Sequence, residues 1–290
     1  MLGFVGVLVD GLSYGALLFL MSIGLSVTLG MMGFVNLAHT ALAMVGGYFT
    51  VTFSERAGFS FGFAVVAAVG VTTLLGVLLE RGLFRLVYRR SALAQVLLTF
   101  GVLMMTTAVT IYVWGASLQY IQIPTALSGR ADVGQIGFSR YRLMLFATGV
   151  MLLVLLLVGI ERTRFGTMIR ASVDNPRVAA ALGIPIQKVF MATFAIGTAL
   201  AALGGALGVE ALGLDASFGM KYMVLALMVV VLGGAGSVTG TFAAAMVLGV
   251  FNIACAYYVP AIGSFATYAL MLIVLLIRPQ GIRGVHGVAA

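Results

Sequence analysis

Apolar residues fall in nine long runs, at about 2–32, 36–53, 61–80, 94–114, 143–160, 189–209, 220–235, 238–258 and 261–277. A helix rises about 1.5 Å per residue, so roughly 20 apolar residues cross the hydrocarbon of a bilayer. Most runs meet or approach that length. In lipid the backbone must satisfy its own hydrogen bonds, which makes the α-helix the spanning form for such runs. The pattern predicts an all-α polytopic membrane protein with eight or nine transmembrane or re-entrant helices, forming one membrane domain over 1–290. Run 2–32 is too long for one straight span and calls for a tilt or a break. Run 36–53 opens on Asn36, His39 and Thr40, and a short polar link, Ser54, Glu55 and Arg56, lies between it and run 61–80. The longest loops are 115–142 and 161–188.

Composition excludes the soluble classes. Of the 290 residues 62% are hydrophobic and 8% charged, and the mean hydropathy is +1.18. Soluble domains carry about 25% charged residues, so this chain cannot cover a globule with polar surface. A soluble enzyme, a nucleic-acid-binding domain and a disordered chain are thereby excluded. The net charge of +8 comes from basic residues gathered in loops, as the positive-inside rule requires. Arg81, Arg85, Arg89 and Arg90 form one group; Arg162, Arg164, Arg170, Arg177 and Lys188 a second; Arg278 and Arg283 a third. Even numbers of runs separate the three groups, so all should be cytoplasmic and loop 115–142 external, although Arg130, Arg140 and Arg142 weaken the contrast. The N-terminal side stays open. If 36–53 crosses, there are nine spans and the N-terminus is external; if it is re-entrant, there are eight and it is internal. Cys255 alone allows neither an internal disulfide nor a thiolate metal site, and no metal site is expected. The start, MLGFVGVLVDGLSYG, lacks the basic region of a cleaved signal peptide and reads as the first membrane helix.

Small residues are abundant, with 38 glycines. In lipid they let helix backbones approach, and Gly11/Gly15, Gly204/Gly208 and Gly236/Gly240 have the four-residue spacing for it. Aligning 30–49 with 232–251 gives six identities in 20, at Ala41/Ala243, Ala43/Ala245, Met44/Met246, Val45/Val247, Gly47/Gly249 and Phe49/Phe251. Both copies open on Gly-rich, helix-breaking sequence and continue as small-residue helix. Repeated transporter halves with interrupted helices near the substrate path look like this; two Ala/Gly-rich helices also match through composition alone.

Few motifs carry chemistry. Neither lysine, Lys188 nor Lys221, follows a glycine, so no Walker P-loop is present and any ATP hydrolysis belongs to another subunit. Gly11-x-Ser13-x-Gly15 fits a nucleophile pattern, which with His39 would make an intramembrane serine protease. The pattern depends on a strand-to-helix elbow, and here it lies in an apolar run, where Ser and Gly serve helix packing. Asn36 and His39 are polar within an apolar region. Such groups face a bundle interior or a water-filled path, with Asn36 placed to cap a helix starting near Leu37 and His39 to bond a neighbouring carbonyl or a substrate. In loop 161–188, a short helix of one to two turns follows Gly166. Asp174 or Asn175 then caps a second helix with Pro176 in its first position. That helix puts Val178, Ala181 and Leu182 on one face and stops at Gly183 and Pro185. Such a basic, amphipathic pair suits either a lipid surface or a groove on a soluble partner.

Three ordered blocks resemble a known family. Phe165-Gly166-x3-Arg170-Ala171-x3-Asn175-x3-Ala179-x3-Gly183-Ile184 is similar to the coupling loop of ABC importer permeases, most closely the branched-chain (hydrophobic) amino-acid permeases. Gly30-x2-Gly33-x2-Asn36-x2-His39, followed by Met44-x-Gly46-Gly47-Tyr48, resembles that family's N-terminal signature. Lys221 with Gly233-Gly234-x-Gly236-Ser237-x2-Gly240 resembles its C-terminal one. Thr40, Thr241, Ala244 and Asn252 depart from the pattern, which bears on the solute, since related permeases carry urea, amides or aromatic acids. The resemblance implies the ABC importer permease fold and no catalysis or cofactor in this chain, with ATP used by partner subunits. It implies a second permease, two ATPase subunits, a periplasmic binding protein and the lipid bilayer as partners, with no nucleic acid, in a bacterial inner membrane. It places ATPase coupling on Gly166, Arg170, Ala171, Asn175, Pro176, Ala179, Gly183 and Ile184. The translocation path falls to Gly33, Asn36, His39, Gly46, Gly47, Gly233, Gly234, Gly236, Ser237 and Gly240. An ion-coupled secondary transporter acting alone is the alternative; it needs paired membrane acids, and most of the eight acids here sit in loops or at helix ends.

Overall fold

A computed structural model describes every residue except Met1, Val35, Arg89, Gly134, Gln135, Ile262 and 278–290. Arg89, Arg278 and Arg283, counted above among the basic groups, lie outside the described residues. In chain order the elements are α1 (Leu2–Met32), α2 (His39–Val51, continued by a π-helical stretch Thr52–Arg56), α3 (Phe61–Gly82, then a 3-10 turn Phe84–Leu86) and α4 (Ala92–Trp114). There follow α5 (Thr125–Ser128), β1 (Arg130–Val133), β2 (Ile136–Ser139) and α6 (Arg140–Glu161). The rest are α7 (Arg164–Asp174), α8 (Pro176–Ala181), α9 (Ile186–Leu212), α10 (Phe218–Gly233), α11 (Val238–Tyr258) and α12 (Gly263–Ile277). Six of these, α1, α3, α4, α6, α9 and α11, are long and apolar enough to cross a membrane, and α10 and α12 contribute shorter apolar helices.

The antiparallel β1–β2 hairpin, pairing Arg130 with Ser139 and Val133 with Ile136, departs from the all-helical expectation. It sits in the long loop 115–142, outside the apolar runs, where water can satisfy open strand edges that lipid cannot. The first run is a single unbroken helix rather than a broken one. Its middle is buried on every side: Ala16 to Met21 and Ile23 are all within 1% of fully buried. Around α1 pack α9, α11, α6 and α10, while α2 and α3 pack on α9. By contrast Val66, Leu74, Leu97, Met105 and Leu155 on α3, α4 and α6 are exposed, the surface expected of helices that face lipid. Small residues make the central seam, as their spacing predicts. At Gly11 and Gly15 a Cβ would lie 2.6 Å from the Val250 Cα and 2.8 Å from the Ala245 carbonyl oxygen on α11.

The structure places the start of α1 relative to the loops. Asp10 pairs with Arg142, and Ser13 Oγ lies 2.8 Å from the Arg142 carbonyl. The start of α1 therefore sits at the same end of the bundle as loop 115–142, opposite the basic loop 161–188. The far end of α2 is there too: Trp114 Nε1 donates to Thr52 Oγ1 at 2.7 Å, and the Gln122 N–H donates to Glu55 Oε1 at 2.9 Å. Run 36–53 thus ends opposite the basic loops, although α2 itself, at 13 residues, is not among the helices long enough to cross.

Candidate functional site

Two breaks interrupt the helical core, and both lie against α1 between Gly24 and Gly30. At the first, the chain leaves α1 and re-enters as α2 only at His39. Asn36 does not cap that helix. Its Oδ1 accepts from the Ala38 N–H at 3.1 Å, an Asx turn that delays the start by two residues, and the N-cap, Ala38, has no side-chain bond. His39 is fully buried. Gly24 on α1 and the Gly197 carbonyl on α9 close around its imidazole, yet neither ring nitrogen completes a hydrogen bond, nor does Asn36 Nδ2. The neighbouring carbonyl expected from the sequence is that of Gly197, which lies against the ring without reaching full hydrogen-bond geometry; backbone packing holds the imidazole there. Next to it Thr40 Oγ1 donates to the Gly219 carbonyl at 2.7 Å, tying α2 to α10.

At the second break, Gly234 and Gly236 take φ of 87° and 82°, a left-handed turn that suits glycine. Ser237 then caps α11 by accepting from the Gly240 N–H at 3.1 Å. Ser26 of α1 holds the turn. The Gly236 N–H donates to the Ser26 carbonyl at 2.9 Å, and Thr241 Oγ1 lies 2.8 Å from Ser26 Oγ. Gly233 and Gly240 stand backbone to backbone, and Gly30 meets Gly236. The matched windows 30–49 and 232–251 thus both carry a break followed by a helix, α2 and α11.

The residues named from the sequence separate into groups. Asn36, His39, Gly233, Gly234, Gly236, Ser237 and Gly240 gather at the two breaks. Gly46 and Gly47 lie farther along α2, against Ala202 of α9 and against Leu214. Gly33 forms the turn after α1, with a φ of 59° and open space around it. Ser26, Gly24 and Gly197 went unnoticed in the sequence. Ser26 sits among Ser22 and Thr28, which merely bond the carbonyls of their own helix, so nothing in the pattern distinguishes it. Ser13 and His39 do not meet. Gly24, which touches His39, is eleven residues along α1 from Ser13, about 16 Å of helix, and Ser13 Oγ is taken up by the Val9 and Arg142 carbonyls. The serine-protease arrangement is absent.

At the basic end α7 and α8 form a rigid corner. Helix α7 is longer than expected: it begins at Arg164, before Gly166, and runs for 11 residues with Thr163 Oγ1 accepting from the Gly166 N–H at 3.1 Å. Tertiary packing supplies the extra length, since Gly166, Ile169 and Ser172 are buried along one face. Gly166 rests on the Ile160 carbonyl of α6 so closely that no side chain fits, and Arg170 bonds the same carbonyl. Asn175 caps α8, its Oδ1 accepting from the N–H groups of Arg177 and Val178 at 3.1 Å each. Pro176 occupies the first position, and Gly183, at φ 84°, ends the helix with Ile184 N–H bonded to the Ala179 carbonyl at 3.0 Å. Ala179 is buried beneath, while Val178 and Leu182 are 53% and 75% exposed. Ala171 is half-buried at the end of α7.

From this corner α9 runs without interruption for 27 residues, about 40 Å, past Gly197 at His39 and Ala202 at Gly46. It physically joins the exposed helix pair to the first break.

Residues 7–275 match the family described as branched-chain amino acid transport system / permease component. Similar proteins include the high-affinity branched-chain amino acid transport system permease protein LivH of Escherichia coli K12, 25% identical, with 95% of this chain and 94% of that one covered. The corresponding BraD of Pseudomonas aeruginosa PAO1 is 28% identical over 96% and 94%. A probable LivH of Methanocaldococcus jannaschii is 24% identical over 96% and 92%. Among solved structures, PsaBC from Streptococcus pneumoniae in complex with Fab shares the fold with a TM-score of 0.50 at 14% identity, covering 93% of this chain and 91% of that one.

Proposed function

Because the chain belongs to the branched-chain amino acid transport system permease family, we propose that it is a membrane-spanning subunit of an ATP-binding-cassette importer in a bacterial inner membrane. Its solute is a branched-chain or similar small hydrophobic amino acid, as the names of its relatives suggest. A periplasmic binding protein delivers the solute to the end bearing loop 115–142. Two ATPase subunits dock at the basic, cytoplasmic end, and a second permease completes the pathway.

The observation that carries this reading is the exposed apolar pair Val178 and Leu182 on a helix capped at both ends. Large apolar side chains held out at a basic end, on a backbone that cannot relax, suit insertion into a groove of a soluble partner. Closure of the ATPases on ATP pushes α7 and α8 as one body. The push passes to α6 through Gly166 and to α9 directly. Displacing α9 parts Gly197 from Gly24 and from the His39 ring, so that His39 and Asn36 Nδ2 face the opened path and can bond water or the solute's ammonium and carboxylate. Such a movement is a rigid-body switch between two packings of the same helices.

The test is co-purification with the ATPase subunits. Leu182→Asp and Val178→Asp sit on exposed positions, so the chain should fold as before while ATPase co-elution is lost. Retained co-elution by the folded double variant would refute the docking role.

A further inference from the structure

A cleft of about 1130 Å³ opens at the basic end between the C-terminal turn of α3, the 3-10 turn after it, α8 and the start of α9. Four cations line it: Arg81, Arg85, Arg177 and Lys188. Among the described residues none of them forms a salt bridge; Arg81 Nε reaches only the Met191 thioether, and Arg85 bonds the Gln187 amide. The one carboxylate in the lining, Glu80, is 3% exposed and accepts from the Tyr88 hydroxyl at 3.0 Å. Burial, reinforced by Glu80, holds Tyr88 well above the ordinary phenol range, so that donor persists at any physiological pH. The cleft is therefore strongly positive, with its cations unmatched. Its remaining wall is apolar, from Leu86, Ile186 and Phe190, and Leu86 is 70% exposed at the mouth.

Position narrows the ligand. The apolar span containing α3 ends at Leu86 and that of α9 begins at Ile186. The cleft is thus level with the lipid headgroups of the cytoplasmic leaflet, where anionic lipids concentrate and basic pockets between helices take their phosphates. A basic pocket with an apolar flank matches a phosphate that carries acyl chains better than a free anion.

We propose that this cleft holds the headgroup of an anionic phospholipid, its phosphodiester bound by Arg81, Arg85 and Lys188 and its chains running down past Leu86. The lipid would brace the junction of α8 with α9, the point through which the coupling movement passes; only that consequence rests on the transport reading, whereas the site itself does not.

The experiment is native mass spectrometry of the purified full chain in neutral detergent, with phosphatidylglycerol and phosphatidylcholine supplied in equal amounts. Wild type should retain one phosphatidylglycerol in preference to phosphatidylcholine. Each cation removed should weaken that preference about five-fold, and Arg85→Gln with Lys188→Gln about 25-fold. The charge-conserving pair Arg85→Lys and Lys188→Arg should keep it, as should Arg56→Gln with Arg140→Gln at the opposite end. Equal retention of the two lipids by wild type, or an unchanged preference in the Arg85/Lys188 glutamine variant, would overturn the proposal. So would a preference abolished by excess inorganic phosphate, which marks a soluble-anion site. Loss of ATPase co-elution in the glutamine variant, without any lipid preference in wild type, would assign the cleft to the ATPase instead.

Discussion

Replacing Gly46 with alanine tests the tight contact between α2 and α9. The added Cβ would lie 2.6 Å from the Ala202 carbonyl oxygen, 2.7 Å from its Cα and 2.9 Å from its Cβ. Two of those atoms are backbone, so no rotamer change relieves the clash. An ordinary carbon–oxygen contact is about 3.3–3.6 Å, so the two helices must part by about 1 Å. Overpacking of this kind costs about 1–3 kcal/mol, offset by about 0.5–1 kcal/mol gained when glycine leaves a helix interior. The net is a loss of about 0.5–2 kcal/mol, or a midpoint lowered by roughly 1–8 °C at about 2–4 °C per kcal/mol. The reporter is built in. Trp114, the only tryptophan, bonds Thr52 and packs on Tyr48 and Phe49 of α2, with ring centroids 5.1 and 5.9 Å away. Thermal unfolding of the detergent-purified chain, followed by Trp114 fluorescence, should show the lowered midpoint and a shifted native spectrum. Gly70→Ala on α3, where nothing lies within 4 Å, is the control and should melt at or above wild type. If Gly46→Ala melts with the control, the α2–α9 contact is not the constraint described.

Two further changes probe the breaks and the corner. His39→Leu removes two buried nitrogens that form no full hydrogen bond, with only the Gly197 carbonyl set against the ring; an under-satisfied buried polar group costs about 1–3 kcal/mol, so the variant should melt at or above wild type while amino-acid uptake by the assembled transporter falls. A lowered midpoint would mean that His39 is held by a structural partner. Asn175→Ala deletes the cap of α8, worth about 1 kcal/mol. Amide exchange at Arg177 and Val178 should then quicken about five-fold, read by hydrogen-exchange mass spectrometry, and unchanged rates would discount the cap.

Local rules made the coupling corner legible in the sequence. Asn175, Pro176 and Gly183 act through their own backbone neighbours, and each stands where capping chemistry puts it. Run lengths placed the spans for the same reason, since lipid imposes the helix on each segment separately. What stayed hidden depends on partners distant in sequence. Ser26 looks like Ser22 until Gly236 is brought beside it, and α7 reads as one to two turns until Ile160 closes on Gly166 and α1, α6 and α9 pack against the helix. His39 was visible as an anomaly, yet its neighbours Gly24 and Gly197 are two among 38 glycines. The end of the bundle at which α1 starts follows only from tertiary contacts, Asp10 and Ser13 with Arg142.

The central claim is that force enters at α8 and opens the core through α9. Proteoliposomes containing this chain, its partner permease and the ATPase subunits, supplied with binding protein and a radiolabelled branched-chain amino acid, measure it most directly. Uptake should require ATP and should vanish in Leu182→Asp, whose core is untouched. Uptake that proceeds without the ATPases, or that survives Leu182→Asp at the wild-type rate, would contradict the account.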